Sequence, residues 1–132
     1  MKKITSLLLF LPIVAVAQTD WEHVGTSTKQ DKFYLRNVTQ KDDSKKINFW
    51  IKMQRPDKIE KDDTTSFKAG DYTITKYEGN CSEMTYRTLG GAVYDRKGNS
   101  KTVLKEAYIS NVVIPDSIAE TFLQAACSKI IY

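Results

Sequence analysis

Gly70-Asp-Tyr-Thr-Ile-Thr-Lys-Tyr-Glu-Gly-Asn-Cys81-Ser-Glu-Met-Thr-Tyr-Arg87 is a run of β-forming residues that carries one of the chain's two cysteines. Its Gly79-Asn80 break suits a tight hairpin turn or a bulge. Strands are therefore expected from Tyr72 to Glu78 and from Cys81 to Leu89. In the first, Tyr72 and Ile74 share a face, opposite Thr73, Thr75 and Tyr77. In the second, Met84 and Tyr86 share a face, opposite Cys81, Glu83 and Thr85. The other cysteine, Cys127, falls in a segment that reads as a helix. A bond between the two ties strand to helix and closes the intervening chain into a loop.

Upstream, Lys46 to Gln54 has the clearest strand pattern. Ile47, Phe49, Ile51 and Met53 fall on one face, and Asn48, Trp50, Lys52 and Gln54 on the other. Period-two alternation of aromatic and β-branched residues marks a half-buried antiparallel strand. Trp50 interrupts the polar face and is expected to gain partial cover, the alternative being an exposed contact residue. Arg55-Pro56 ends the strand, because proline cannot donate to the ladder. Shorter strands are expected at Asp20 to Gly25 and Lys32 to Arg36, with a polar loop from Asn37 to Lys45 and a charged one from Pro56 to Thr65.

Downstream, Gly90-Gly91 allows a bend or bulge, and Ala92 to Tyr94 continues as strand. Asp95 to Asn99 is a turn, and Lys101 to Leu104 a return strand. Lys105 to Ile114 reads either as a last strand or as a packed connection. Ser117 and Glu120 have capping-box spacing at a helix start. Ile118, Phe122 and Ala126 then recur at helical spacing and should face the sheet, which brings Cys127 within reach of a strand cysteine.

Compartment is read from the N-terminus. Met1-Lys2-Lys3 is basic, Ile4 to Val16 is apolar, and Ala15-Val16-Ala17 presents small residues two apart. This is a secretory signal peptide over residues 1–17, leaving one domain over 18–132. The apolar run, about 14 residues, is shorter than the roughly 20 needed to span a bilayer. No later stretch is long and apolar enough for a membrane span. Removing Lys2 and Lys3 lowers the net charge from +4 to +2, so basicity gives no argument for nucleic acid. Two cysteines in an oxidising compartment suggest one disulfide, two separate thiols being the alternative. Closing that loop contributes roughly 4 kcal/mol in the chain-entropy model.

Catalytic signatures are sparse. The single histidine, His23, sits on a short strand, and no Gly-x-Ser-x-Gly or phosphate-cradling glycine loop occurs. The acidic loops lack the spaced oxygen ligands and glycine turn of a calcium site, so neither metal nor cofactor is expected. The sheet with its two tryptophans and seven tyrosines suits protein binding instead, with Trp50 and Tyr77 as the candidate binding surface.

Four elements together resemble the bacterial surface-adhesin protein E-like family: Trp21, the Phe49-Trp50 strand, Cys81-Ser-Glu-Met-Thr-Tyr-Arg87, and Val113-Ile-Pro115-Asp-Ser117 leading to Cys127. The resemblance implies an α+β fold, a single antiparallel sheet of about six strands with one C-terminal helix bonded to it through Cys81 and Cys127. It also implies a non-enzymatic adhesin that binds host extracellular-matrix or serum proteins and can form a homodimer. The alternative is an envelope protein in the periplasm, structural, stress-related or ligand-binding, with another envelope protein as its partner. Localisation is expected to be periplasmic, secreted or at the cell surface.

Overall fold

The computed structural model describes residues 20–41, 44–58 and 67–130. The expected signal peptide and the centre of the 56–65 loop lie outside the described residues. The chain runs as an antiparallel meander of β1 (Glu22–Thr26), β2 (Lys32–Gln40), β3 (Lys46–Gln54), β4 (Tyr72–Asn80), β5 (Thr85–Tyr94) and β6 (Ser100–Leu104). A short β7 (Asn111–Val112) pairs with the start of β5, and α1 (Ile118–Cys127) follows. The fold is thus the expected one: a single antiparallel sheet of six main strands with one C-terminal helix.

Alternation along β3 sets the two faces. Ile47, Phe49 and Ile51 are buried, whereas Asn48, Trp50 and Lys52 are partly exposed. The helix lies on the Phe49 face, where Ala119, Phe122, Leu123, Ala126 and Cys127 close over Phe33, Leu35, Ile47, Phe49 and Ile51. Each large apolar side chain buried there contributes roughly 1.5–3 kcal/mol. Phe122 and Ala126 are buried as the helical spacing requires, and Ile118 packs at the margin.

Ser117 caps α1 by accepting a hydrogen bond from the Glu120 N–H at 3.3 Å. The return arm of the capping box is displaced by one residue. The Glu120 carboxylate accepts from the Asp116 N–H, at 3.5 Å, rather than from that of Ser117. The Ser117 N–H donates instead to Ile114 O. Cys81 and Cys127 are bonded, with 5.8 Å between their Cα atoms, an ordinary separation for a disulfide. The helix is therefore held to the sheet both by the core and by a covalent link at its last turn.

Of three sequence expectations, two are corrected and one is met. The hairpin turn after β4 lies at Cys81–Met84, not at Gly79-Asn80. Asn80 opens it, its Oδ1 accepting from the Ser82 and Glu83 N–H groups. Gly79 stays in the strand because a Cβ there would lie 2.7 Å from Leu123 Cδ1 and 3.0 Å from Phe49 Cε1. The glycine leaves the space that the Leu123 and Phe49 side chains fill. Second, the bend or bulge expected at Gly90-Gly91 is a bulge, and β5 runs on through it, absorbing the extra residue opposite Lys76 and Tyr77. Gly91 has φ +155, and a Cβ there would meet Ile74 O, so glycine is required by both space and conformation. Third, β2 continues past Arg36 to Gln40, with a register shift after Arg36 that places Asn37 at φ 53. The residues expected to start a loop instead form a bulge.

Candidate functional site

The strand positions that point away from the helix form an open face, and among the described residues no helix or strand packs over it. Its composition follows from register. Arg36 on β2, Trp50 on β3 and Lys76 on β4 are direct cross-strand partners. One step along, Tyr34, Lys52 and Ile74 form the next row. Beyond it, Gln54, Tyr72 and Tyr94 form a third. At about 4.8 Å per strand, the row from β1 to β4 spans roughly 14 Å.

Cations and rings alternate on this face. The Arg36 guanidinium lies 5.4 Å from the centre of Trp21, and the Lys76 ammonium 5.8 Å from Trp50. The Lys52 ammonium is 4.9 Å from Tyr72, which in turn stacks on Tyr94 with centroids 5.1 Å apart. A positive charge is attracted to the negative face of an aromatic ring, by about 0.5–1 kcal/mol at such partly exposed sites. His23 closes the β1 edge, 5.4 Å from Tyr34 and hydrogen-bonded to Thr26. With the Lys76 side chain over its ring, Trp50 is half-buried without being in the core.

The acidic groups bordering this face are engaged at its margin. The Glu78 carboxylate receives Arg87 Nε at 3.1 Å and Lys41 Nζ at 3.2 Å. The Arg87 hydrogen bond holds its pKa below the ordinary carboxylate value; burial opposes this, and the Lys41 hydrogen bond and both positive charges add to the lowering. Arg87 also donates to Glu106 and to Ala107 O, and its own pKa is raised first by the Glu78 bond and then by Glu106. At the far end Asp71 accepts from the Lys68 N–H and from Lys101 Nζ, each at 2.9 Å. Burial pushes its pKa up, and these partners more than reverse the effect. Among the described residues no carboxylate pairs with Arg36, Lys52 or Lys76. The centre of the face is therefore positive, and at its margin Glu78 is engaged by Arg87 and Lys41. Arg36 Nε and Asn48 Oδ1 are buried there without a hydrogen-bond partner among the described residues, a polar cost carried near the β2 bulge.

Trp50 and Tyr77 lie on opposite faces. Tyr77 packs beneath the helix among Phe49, Tyr86 and Phe122, with centroid distances of 5.7, 5.7 and 5.4 Å. Burial, and then the neighbouring Tyr86, raise its pKa. Trp21, Arg36, Lys52, Tyr72, Lys76 and Tyr94 surround Trp50 and were not foreseen with it. The available signal was the alternation of β3 and β4 counted from Trp50, once the strands are placed in register. A separate exposed stretch precedes the helix, where Tyr108, Ile109, Val112 and Ile114 are 69–89% exposed. Among the described residues, no group of three or more His, Cys, Asp or Glu side chains could hold a metal ion. No described helix is long and apolar enough to cross a membrane.

Comparison with known proteins adds one match. The model of the surface-adhesin protein E family aligns with residues 21–128, from the tryptophan under Arg36 to the residue after Cys127. No curated protein and no solved structure matches the chain.

Proposed function

The chain belongs to the surface-adhesin protein E family, and on that footing we propose that it is an exported, non-enzymatic module that binds a host extracellular-matrix or serum protein through the open sheet face. The observation that supports this reading is the cation-and-ring surface around Trp50. Aromatic and arginine side chains with few backbone entropy costs are the usual anchors of protein interfaces. They stand here on the central strands of a sheet, so their positions are fixed before a partner arrives. Rigid presentation reduces the ordering cost of association.

The test is binding of the mature chain to a panel of immobilised matrix and serum proteins, parent beside Trp50→Ala. The expected result is at least one specific partner, whose affinity falls tenfold or more on losing the indole, about 1.4 kcal/mol or more. Equal binding by parent and variant would remove the open face from the interface. Protease shaving of intact producing cells then assigns the compartment. Cleavage while a periplasmic marker survives supports display to a host. Protection until the outer envelope is opened redirects the search to envelope proteins.

A further inference from the structure

Building on the reading of the open face as the binding surface, we infer that what docks there is an acidic, extended polypeptide segment of the partner. Three features carry this. The first is charge. Arg36, Lys52 and Lys76 occupy the centre of the face with no carboxylate partner among the described residues, while Glu78 and Asp71 at its margins are engaged by Arg87, Lys41 and Lys101. A surface whose positive centre has no carboxylate partner is complementary to a negative partner.

The second is spacing. Arg36 and Lys76 flank Trp50 in one cross-strand row, two strand spacings or roughly 9–10 Å apart. Lys52 lies one row on, opposite Ile74 and hence diagonal to Lys76, about 7–8 Å away. Alternate side chains of an extended segment recur on one face every 6.5–7 Å or so. Two or three carboxylates of such a segment can therefore meet these cations together.

The third is the state of the rings. Trp21, Trp50 and Tyr72 each hold a cation over one face, and Tyr72 also stacks on Tyr94. A glycan that recognises rings by stacking needs uncovered faces. Here the rings instead support the cations, fixing ammonium and guanidinium groups whose N–H donors are left for a carboxylate. That disfavours a neutral glycan read by ring stacking and favours a partner that brings anionic groups to the cations; heparin as a comparison probe separates a sulfated chain from an acidic polypeptide.

The experiment uses the mature chain and fluorescein-labelled poly-L-glutamate, with poly-L-lysine and heparin as comparison probes, followed by anisotropy. Poly-L-glutamate should bind, and its affinity should fall at least tenfold between roughly 0.05 and 0.5 M salt as screening tightens. Lys52→Gln with Lys76→Gln should weaken it tenfold or more. Lys52→Glu with Lys76→Glu should exchange preference, binding poly-L-lysine over poly-L-glutamate, a gain that an unfolded variant would not show selectively. The inference is overturned if poly-L-glutamate does not bind, or binds parent and glutamine variant equally. It is also overturned if heparin binds through these lysines and poly-L-glutamate does not. Its failure is separable from failure of the host-protein reading. If Trp50→Ala abolishes binding to a panel protein and the lysine variants do not, only the acidic-segment inference falls. If poly-L-glutamate binding follows the lysines and no panel protein binds, only the host-protein reading falls.

Discussion

Adding one methyl group at Gly79 should destabilise the protein by crowding the core side chains under the helix. In Gly79→Ala the new Cβ would sit 2.7 Å from Leu123 Cδ1, 3.0 Å from Phe49 Cε1 and 3.4 Å from Ile47 Cγ1. Those three are the largest fully buried side chains of the described core, so none can swing into solvent to make room. The backbone at Gly79 is ordinary strand, so alanine should itself gain about 0.5–1 kcal/mol by reducing the freedom of the unfolded chain. Overpacking of a filled core costs about 1–3 kcal/mol. From the middle of each range the net loss should be about 1.2 kcal/mol, and at 4–8 °C per kcal/mol the melting temperature should drop by roughly 5–10 °C. Gly90→Ala is the control, because its Cβ would have only Leu104 O within 4 Å, at 3.8 Å. With no crowding to offset the entropy gain, it should match the parent or exceed it by about 0.5–1 kcal/mol. The assay is urea unfolding followed by tryptophan fluorescence. Leu123→Ala alone should cost about 2–5 kcal/mol by leaving a cavity. Combined with Gly79→Ala it should cost at least about 1 kcal/mol less than the sum, because the new methyl occupies part of the space that leucine vacates. Additive behaviour, or a Gly79→Ala protein as stable as the parent, would refute the argument that helix proximity requires this glycine.

Cys127→Ser should lower stability by about 4 kcal/mol, from a loop of 46 residues in the chain-entropy model. At the same 4–8 °C per kcal/mol the melting temperature should fall by roughly 16–32 °C, and a reductant should reproduce this in the parent. Ser117→Ala removes the acceptor for the Glu120 N–H and should cost about 1 kcal/mol in the same urea assay. Acid should destabilise the protein through Glu78 and Asp71. Both have pKa values below their ordinary 4.5 and 3.8, so they stabilise the fold above those values and lose that contribution as pH falls through the folded ones. Stability measured downward from pH 6 should decline below about pH 5, and Glu78→Gln should flatten that decline. An unchanged slope would mean that the Arg87 and Lys41 contacts do not persist in solution.

The sheet was legible where one face is apolar and the other polar. β3 shows this directly, and the helix follows from Ile118, Phe122 and Ala126 with Ser117 before them. Gly79 was the source of one misreading. In one dimension Gly79 and Gly90-Gly91 look like punctuation, since a turn, a bulge and a close contact all select the same residue. Only Leu123 and Phe49, brought over Gly79 by the helix, show which reason applies. Tyr77 failed differently. Its neighbours Lys76 and Glu78 are polar, and its own polarity is intermediate, so nothing local says which face is covered. The open face could not be assembled from sequence because Arg36, Trp50 and Lys76 meet through register, and the bulges in β2 and β5 shift register in ways that composition does not encode.

The placement of Cys127 on the last helix has a consequence for biogenesis. A chain made and exported from its N-terminus delivers β2, β3 and β4 well before α1. Until then Ile47, Phe49 and Ile51 have no cover, because their lid is the final element to arrive. Cys81 must likewise wait for a partner 46 residues later. Oxidation and closure of the core are thus late, coincident events. The nascent sheet depends until then on whatever shields apolar surface at the exit site, and a truncation that spares every strand would still leave the protein without a finished interior.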